Sequence, residues 1–164
     1  MTERVDIVSV LQRHFDACME MLAGVIDRCP ENLWAEAENG SPIWQHIYHT
    51  LVGPHFWFRE TQDEGFVCLT FDKEVSPDLG KQTAAFLTKD ELEQYVSRTR
   101  EICGDFFGGI DVNDPLERSG LAEVFTKTDL VLMQIRHFQH HVGYCNGILR
   151  AHGVDGVPWL GYGE

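Results

Sequence analysis

The sequence predicts an all-α protein, a four-helix bundle in which a long crossover connection joins the second helix to the third. Four segments carry apolar residues at helical spacing, and each has a start or stop signal. No segment shows a convincing sheet pattern. Residues 61–87 carry few helical signals, so we expect the long connection there, as in bundles that contain one crossover.

The composition is typical of a globular protein with one core. The 164 residues are 43% hydrophobic and 24% charged, which are ordinary values for such a protein. This length is sufficient to bury a core. We therefore expect a single domain over residues 1–164, and we find no internal repeat.

The first predicted helix extends from about Val5 to about Arg28. Pro30 follows as a stop signal, because proline cannot continue the hydrogen-bond pattern of a helix. The apolar residues that predict its buried face recur at helical spacing, and they are Val8, Leu11, Phe15, Cys18, Leu22 and Val25.

The second predicted helix begins near Ser41 and Pro42, with the serine as the cap and the proline in the first turn. It continues to about Glu60. Pro54 lies inside this helix and removes one backbone hydrogen bond, so we expect a kink there. In the connection that follows, "FVCLTF" is expected to form a short strand or a turn.

Capping signals mark the start of the last two helices. Thr88 with Glu91 is a capping box for the third helix, which we expect to end at about Phe107. Thr126 with Asp129 is a weaker box for the fourth helix, which should end at Gly153. The glycine-rich, aromatic tail is expected to lie back over the bundle or to be mobile.

The net charge of −13 excludes two classes of partner. Nucleic acids and anionic membranes are bound mainly by clustered Lys and Arg, and the sequence has no such cluster. It also has no apolar run that could span a membrane and no signal-peptide pattern. The five cysteines are odd in number and form no CxxC pair, so we expect reduced thiols in the cytoplasm, each a small apolar core residue.

Three histidines lie close together in the fourth helix, in "MQIRHFQHHVGYCNGILRAH". His137 and His141 fall in an apolar stripe and share one helical face, whereas His140 falls on the polar face. Buried imidazole nitrogens need partners. A shared divalent metal would satisfy both rings, because neutral imidazole is a favoured ligand of Zn, Ni, Cu and Fe. Separate hydrogen bonds in the core are the alternative.

The second helix offers a third ligand. His46 and His49 lie three residues apart on a broad face, and periodicity does not choose between them. His55 follows Pro54, so its direction is not fixed by the pattern. Three protein ligands with one open position are the arrangement of a catalytic metal. No Glu-x-x-His pair of the di-iron type occurs, so we expect a single metal ion.

Other catalytic motifs are absent from the sequence. It contains no GxGxxG, GxSxG or HExxH pattern and no phosphate-binding GxxxxGKS/T pattern. A nucleophilic pair of Cys145 with a histidine is conceivable. It is disfavoured because Cys145 shares its helix with His137 and His141 and has no evident activating neighbour.

Two segments resemble the DinB/YfiT-like superfamily of metal-binding four-helix bundles. "HFQHHVGYCNGILR" is similar to the family pattern H-x-x-H-H-x-G with a trailing Leu-Arg, and "HTLVGPHFWFRE" is similar to its pattern on the second helix. "PWLG" is similar to the family's ending. The resemblance implies that His49, His137 and His141 hold one Zn or Ni ion. His55 departs from the family, whose members often carry an acidic residue there, and could be inert, support a ligand or join the site.

The resemblance also implies a function. Some family members join a low-molecular-weight thiol to an electrophile, and others isomerise or hydrolyse small substrates. We therefore expect a metal-dependent enzyme that acts on a small molecule, with a thiol S-transferase as the leading form. Arg59, Arg136 or Arg150 would hold a substrate carboxylate. Family members are often dimers, and we expect a homodimer.

Two alternatives remain open. A non-catalytic metal-binding or stress-associated protein would close the coordination shell, with His55 or with carboxylates from residues 61–87. A bundle without a metal would use its histidines as ordinary core and surface residues, and "HFWFRE" could then form a dimer contact.

Overall fold

A computed structural model of the chain describes residues 6–37, 40–59, 65–111 and 125–161. Within these ranges the regular structure is helical and contains no strand, so the all-α prediction is confirmed. The helices are α1 (Ile7–Arg28), α2 (Glu31–Trp34), α3 (Ile43–Trp57), α4 (Lys89–Gly109) and α5 (Lys127–Ala151). The four long helices form a closed ring of contacts, in which α1 packs on α4 and α5, and α3 packs on the same two helices.

The first helix begins at Ile7, after Asp6, whose carboxylate accepts the backbone N–H of Val8 at 3.1 Å. The predicted start at Val5 lies outside the described residues. The helix ends at Arg28, as expected. Pro30 does more than stop it, because this proline takes the cap position of the short helix α2, which the sequence analysis did not predict.

The predicted cap of the second long helix is wrong. Helix α3 begins at Ile43 with Pro42 in the cap position, and the Ser41 hydroxyl instead donates a hydrogen bond to the distant Leu79 carbonyl. The helix continues through Pro54 to Trp57. Its predicted end at Glu60 lies outside the described residues, and the kink at Pro54 stays a prediction.

Both predicted capping boxes are present. At Thr88 and at Thr126 the threonine side chain accepts a backbone N–H, and the acidic residue three positions later accepts the N–H of the threonine. Beyond α5, Gly153 has φ +75°, a left-handed conformation that favours glycine at a helix end. The described tail lies back on the bundle, where buried Val157 exchanges two hydrogen bonds with the Asn146 side chain.

Aromatic side chains join the long helices at the centre of the core. The fully buried Phe15 ring of α1 lies 5.5 Å from the Phe58 ring at the end of α3, 6.0 Å from Phe107 of α4 and 5.1 Å from Phe138 of α5. Tilted aromatic pairs at such distances add to the stabilisation from area burial. This cluster places α3 and α5 side by side.

The connection between α3 and α4 is anchored along one face of α3. Three polar side chains at intervals of four residues, Ser41, Gln45 and His49, bond to its backbone. The Gln45 amide donates at 2.8–3.0 Å to three carbonyls, and His49 donates to a fourth. Gln45 binds the carbonyls of Ser76, Asp78 and Lys81, His49 binds that of Pro77, and Ser41 binds that of Leu79. "FVCLTF" forms no strand and ends in a turn, where Phe71 and Asp72 have φ of 52° and 59°.

We predict that Gln45→Ala lowers the free energy of unfolding by about 1–3 kcal/mol, because three hydrogen bonds to partly buried carbonyl groups are lost. Amide hydrogen exchange in residues 76–81 should become faster, and denaturant unfolding should shift to lower concentration. The matched control is Gln94→Ala, which truncates an exposed glutamine on α4. Equal exchange rates in the two variants would contradict the anchoring role.

Candidate metal centre

Three histidines from two helices converge on one point. His49 projects from α3, and His137 and His141 project from successive turns of α5. Each offers one ring nitrogen, and the three nitrogens lie within 4.8 Å of one another. The ring centroids are 4.7–5.0 Å apart, with the planes edge-to-face. These are the three residues that the family resemblance indicated, and the arrangement could hold a metal ion.

A backbone hydrogen bond orients His49. Its Nδ1 lies 3.0 Å from the Pro77 carbonyl oxygen. Because a carbonyl can only accept, Nδ1 carries the proton and Nε2 keeps its lone pair for a ligand. Metal-binding histidines commonly have such a partner, which sets the tautomer and the ring orientation.

His46 lies behind His141 and outside the group of three. The Nδ1 atoms of the two buried rings are 3.0 Å apart, so one donates to the other. If His141 Nδ1–H donates, His141 Nε2 is free to bind a metal, and His46 must carry its own proton on Nε2. That Nε2 is buried and has no hydrogen-bond partner among the described residues. His46 also stacks on Tyr144, with ring centroids 4.2 Å apart.

The environment keeps the imidazoles neutral. Burial, reinforced by neighbouring histidines, lowers the pKa of His46 and His137 to about 4 and that of His141 to about 3. Neutral imidazole is the form that binds metals. The donor set therefore fits a divalent metal ion that favours imidazole ligands.

The remaining histidines of the two motifs point elsewhere. The ring of His55 faces α4, where its Nδ1 lies 2.7 Å from the Tyr95 hydroxyl. His140 is exposed, as the polar face predicted. Among the described residues no carboxylate or thiol joins the group of three. Closure of the coordination shell by His55 or by a described carboxylate therefore has no support.

A cavity of about 760 Å³ opens beside the histidines. His49 and His137 form part of its wall, and the rest is mainly apolar, with Phe56, Trp57 and Met133 as large members. The sequence analysis did not predict this cavity, because its wall combines α3, α5 and the connection between α3 and α4. The spacing of apolar residues along one helix does not predict a cavity that several segments form together.

Gly53 permits the close approach of α3 and α5 at the site. A Cβ atom at this position would lie 2.4 Å from Gln134 Oε1 and 3.2 Å from His137 Nδ1. The buried Gln134 side chain has little space to withdraw. Gly53 therefore leaves the space that His137 and Gln134 occupy, a role that the sequence analysis did not predict.

Cysteine chemistry has little support. Cys145 is fully buried, and burial raises the pKa of its thiol to about 12, so the nucleophilic thiolate is disfavoured. Cys18, Cys29 and Cys103 are also buried, as expected for core residues. Cys68 is half-buried and borders the cavity.

A family model of the DinB superfamily matches residues 14–145, which is most of the chain and includes all three converging histidines. The chain therefore belongs to the DinB superfamily. Comparison with curated proteins and with solved structures finds no match. No helix within the described ranges is long and apolar enough to cross a membrane.

We predict that His46→Phe weakens metal binding by about 10- to 100-fold, the usual loss when a ligand's hydrogen-bond partner is removed. Phenylalanine keeps the stacking ring but cannot accept a hydrogen bond from His141. Competition titration with a metal-binding dye measures the affinity. His140→Phe is the control, since that side chain is exposed, and its affinity should be unchanged. Complete loss of binding would instead make His46 a ligand, and no loss would remove its supporting role.

We predict that Gly53→Ala weakens metal binding by about tenfold, because the added methyl group displaces Gln134 and His137 from their positions. Gly143→Ala on α5 is the matched control, since a Cβ there meets no atom within 4 Å. That control should raise the free energy of unfolding by about 0.5–1 kcal/mol and leave metal affinity unaltered. The same affinity in both variants would show that Gly53 does not position the site.

Proposed function

We propose that this protein is an enzyme with one divalent metal ion, Zn or Ni, that acts on a small molecule. His49, His137 and His141 would hold the ion. One observation carries the proposal: three imidazoles from α3 and α5 converge, and two of them, those of His49 and His137, form part of the wall of a cavity of about 760 Å³. This volume is in the usual range for small-molecule sites.

The donor arrangement favours a catalytic over a structural metal. Structural zinc sites have four protein ligands, whereas catalytic sites have three and an open position. The described residues supply three. His49 and His137 border the cavity, which supports an open position on that side.

The surrounding residues would orient the ligands and bind the substrate. The Pro77 carbonyl holds His49 in the binding tautomer, and His46 would do the same for His141 by accepting its Nδ1–H. Phe56, together with the other apolar residues of the wall, would bind the carbon skeleton of the substrate and exclude water. A divalent ion, when bound, lowers the pKa of a thiol or water in its open position.

A thiol S-transferase is the leading form of this proposal, because some relatives of the type that the sequence resembles join a thiol to an electrophile. In that reaction the sulfur forms a bond to the electrophilic carbon, the leaving group departs with its electron pair, and the thiol proton passes to solvent. We further propose a cytoplasmic homodimer. The five cysteines, which are odd in number and form no CxxC pair, support the cytoplasm as the compartment. The dimers that are common among proteins of the resembled family support the homodimer.

The test begins with elemental analysis of untagged protein. We predict about one Zn or Ni per wild-type chain, loss of the metal in His141→Ala, because a ligand is removed, and retention in His140→Ala. Metal-loaded protein should then convert candidate thiols with an aryl halide faster than chelator-treated protein does.

Different failures have different meanings. A wild-type protein that takes up no metal, even from excess ion, would contradict the three-histidine site. Metal binding without any thiol-dependent rate above that of the chelator-treated protein would contradict the S-transferase form. If hydrolysable and isomerisable substrates also fail, the protein would be a non-catalytic metal binder.

A further inference from the structure

Arg59, just beyond the end of α3, lies against two aromatic rings of the cavity wall. Its guanidinium carbon is 4.5 Å from the centroid of the Phe56 ring and 5.0 Å from that of Phe66. The two rings are 5.0 Å apart and edge-to-face, and both border the cavity. Cation–π contacts hold the guanidinium in place at this wall.

Two nitrogens of the same guanidinium lack an acceptor. Arg59 Nε and Nη1 are buried without a hydrogen-bond partner, and no ion pair joins Arg59 to a described carboxylate. Arginine is always charged, and its five N–H groups are strong donors. Arg59 is half-buried, and donors that are withdrawn from water without an acceptor carry a desolvation penalty, of which two phenyl rings offset only part. The side chain is therefore prepared for an anion.

Two arginines, Arg59 and Arg98, lie near His55 although the whole chain has a net charge of −13. The pKa of His55 is lowered, first by burial and then by Arg98 and Arg59, and no carboxylate contributes to the shift. Arg98 itself pairs with Glu101 at 2.8 Å. Arg59 thus has no ion-pair partner among the described residues, and Asp78 of the cavity wall is not paired with it.

The other two candidate arginines are less suited to the cavity. Arg136 is exposed and borders a separate pocket of about 220 Å³, which also holds Asp129. Arg150 is exposed at the end of α5 and lies near Gly156 of the tail. The structure therefore distinguishes Arg59 from the two alternatives that the sequence left open.

We propose that Arg59 is the anion subsite of this cavity and that the substrate is a small molecule with an apolar body and a carboxylate. The inference rests on the proposed function for the reacting group, which would face the histidines. The apolar body lies along Phe56, Trp57 and Met133. The carboxylate binds the guanidinium, whose planar fork matches two oxygens.

The experiment compares two probes of equal carbon skeleton, 4-phenylbutyrate and 4-phenylbutan-1-ol, by calorimetry on the full chain. Chelator treatment removes metal that could bind the carboxylate itself. We expect the wild-type protein to bind the carboxylate about tenfold more tightly, as one charged hydrogen-bond pair implies. Arg59→Gln should abolish this preference, and Arg136→Gln should retain it.

Arg59→Lys provides a second variant in case the glutamine variant unfolds, which circular dichroism and thermal unfolding would reveal. Lysine keeps the charge without the fork, so the preference should fall but remain. Equal wild-type affinities for the two probes, or a preference that survives in Arg59→Gln, would overturn the proposal. A tighter fit of the carboxylate after Glu60→Gln, Asp63→Asn and Glu64→Gln together would assign the guanidinium to the chain's own carboxylates and would also overturn it.

The two proposals fail separately. Probe binding is measured without metal, so its outcome does not depend on the metal content of the protein. Absence of metal in the elemental analysis would overturn the proposed function, whereas loss of the charge preference would overturn only the anion subsite.

Discussion

A ring nitrogen of histidine that is buried between α3 and α5 costs free energy unless it has a hydrogen-bond partner or a metal ion. Most features of the site follow from this constraint. His49 donates to the Pro77 carbonyl, and His141 pairs with His46. These bonds use Nδ1 of each ring, and both rings lie edge-to-face against that of His137. The outer hydrogen bonds therefore help to fix the orientation of His49 and His141, and a divalent ion would complete the arrangement.

The same constraint explains why the long connection after α3 belongs to the site. Gln45 holds the backbone of residues 76–81 against α3, which brings the Pro77 carbonyl to His49. Gly53 allows α5 to approach on the adjacent side. The connection and α5 thus flank α3, and the cavity lies where the three meet, with Phe56 and Phe66 in its wall.

Several elements could be predicted because their causes are local. The capping boxes at Thr88 and Thr126 involve residues three positions apart, and both were predicted correctly. Ser41 was predicted wrongly as a cap, since its hydroxyl is engaged by a carbonyl 38 positions away. Helix α2 was missed because four residues are too few to show a helical period.

The sequence by itself determined the four long helices, the shared face of His137 and His141, and, through its family motifs, the choice of His49. These depend on helical spacing or on motifs that are contiguous in the chain. Only the tertiary structure decided the role of His46, whose partner lies 95 positions away, the Pro77 bond to His49 across 28 positions, and the unpaired state of Arg59. Such contacts depend on which helix faces meet. The packing of core side chains from all the helices determines those faces, and no single segment of the sequence contains that information.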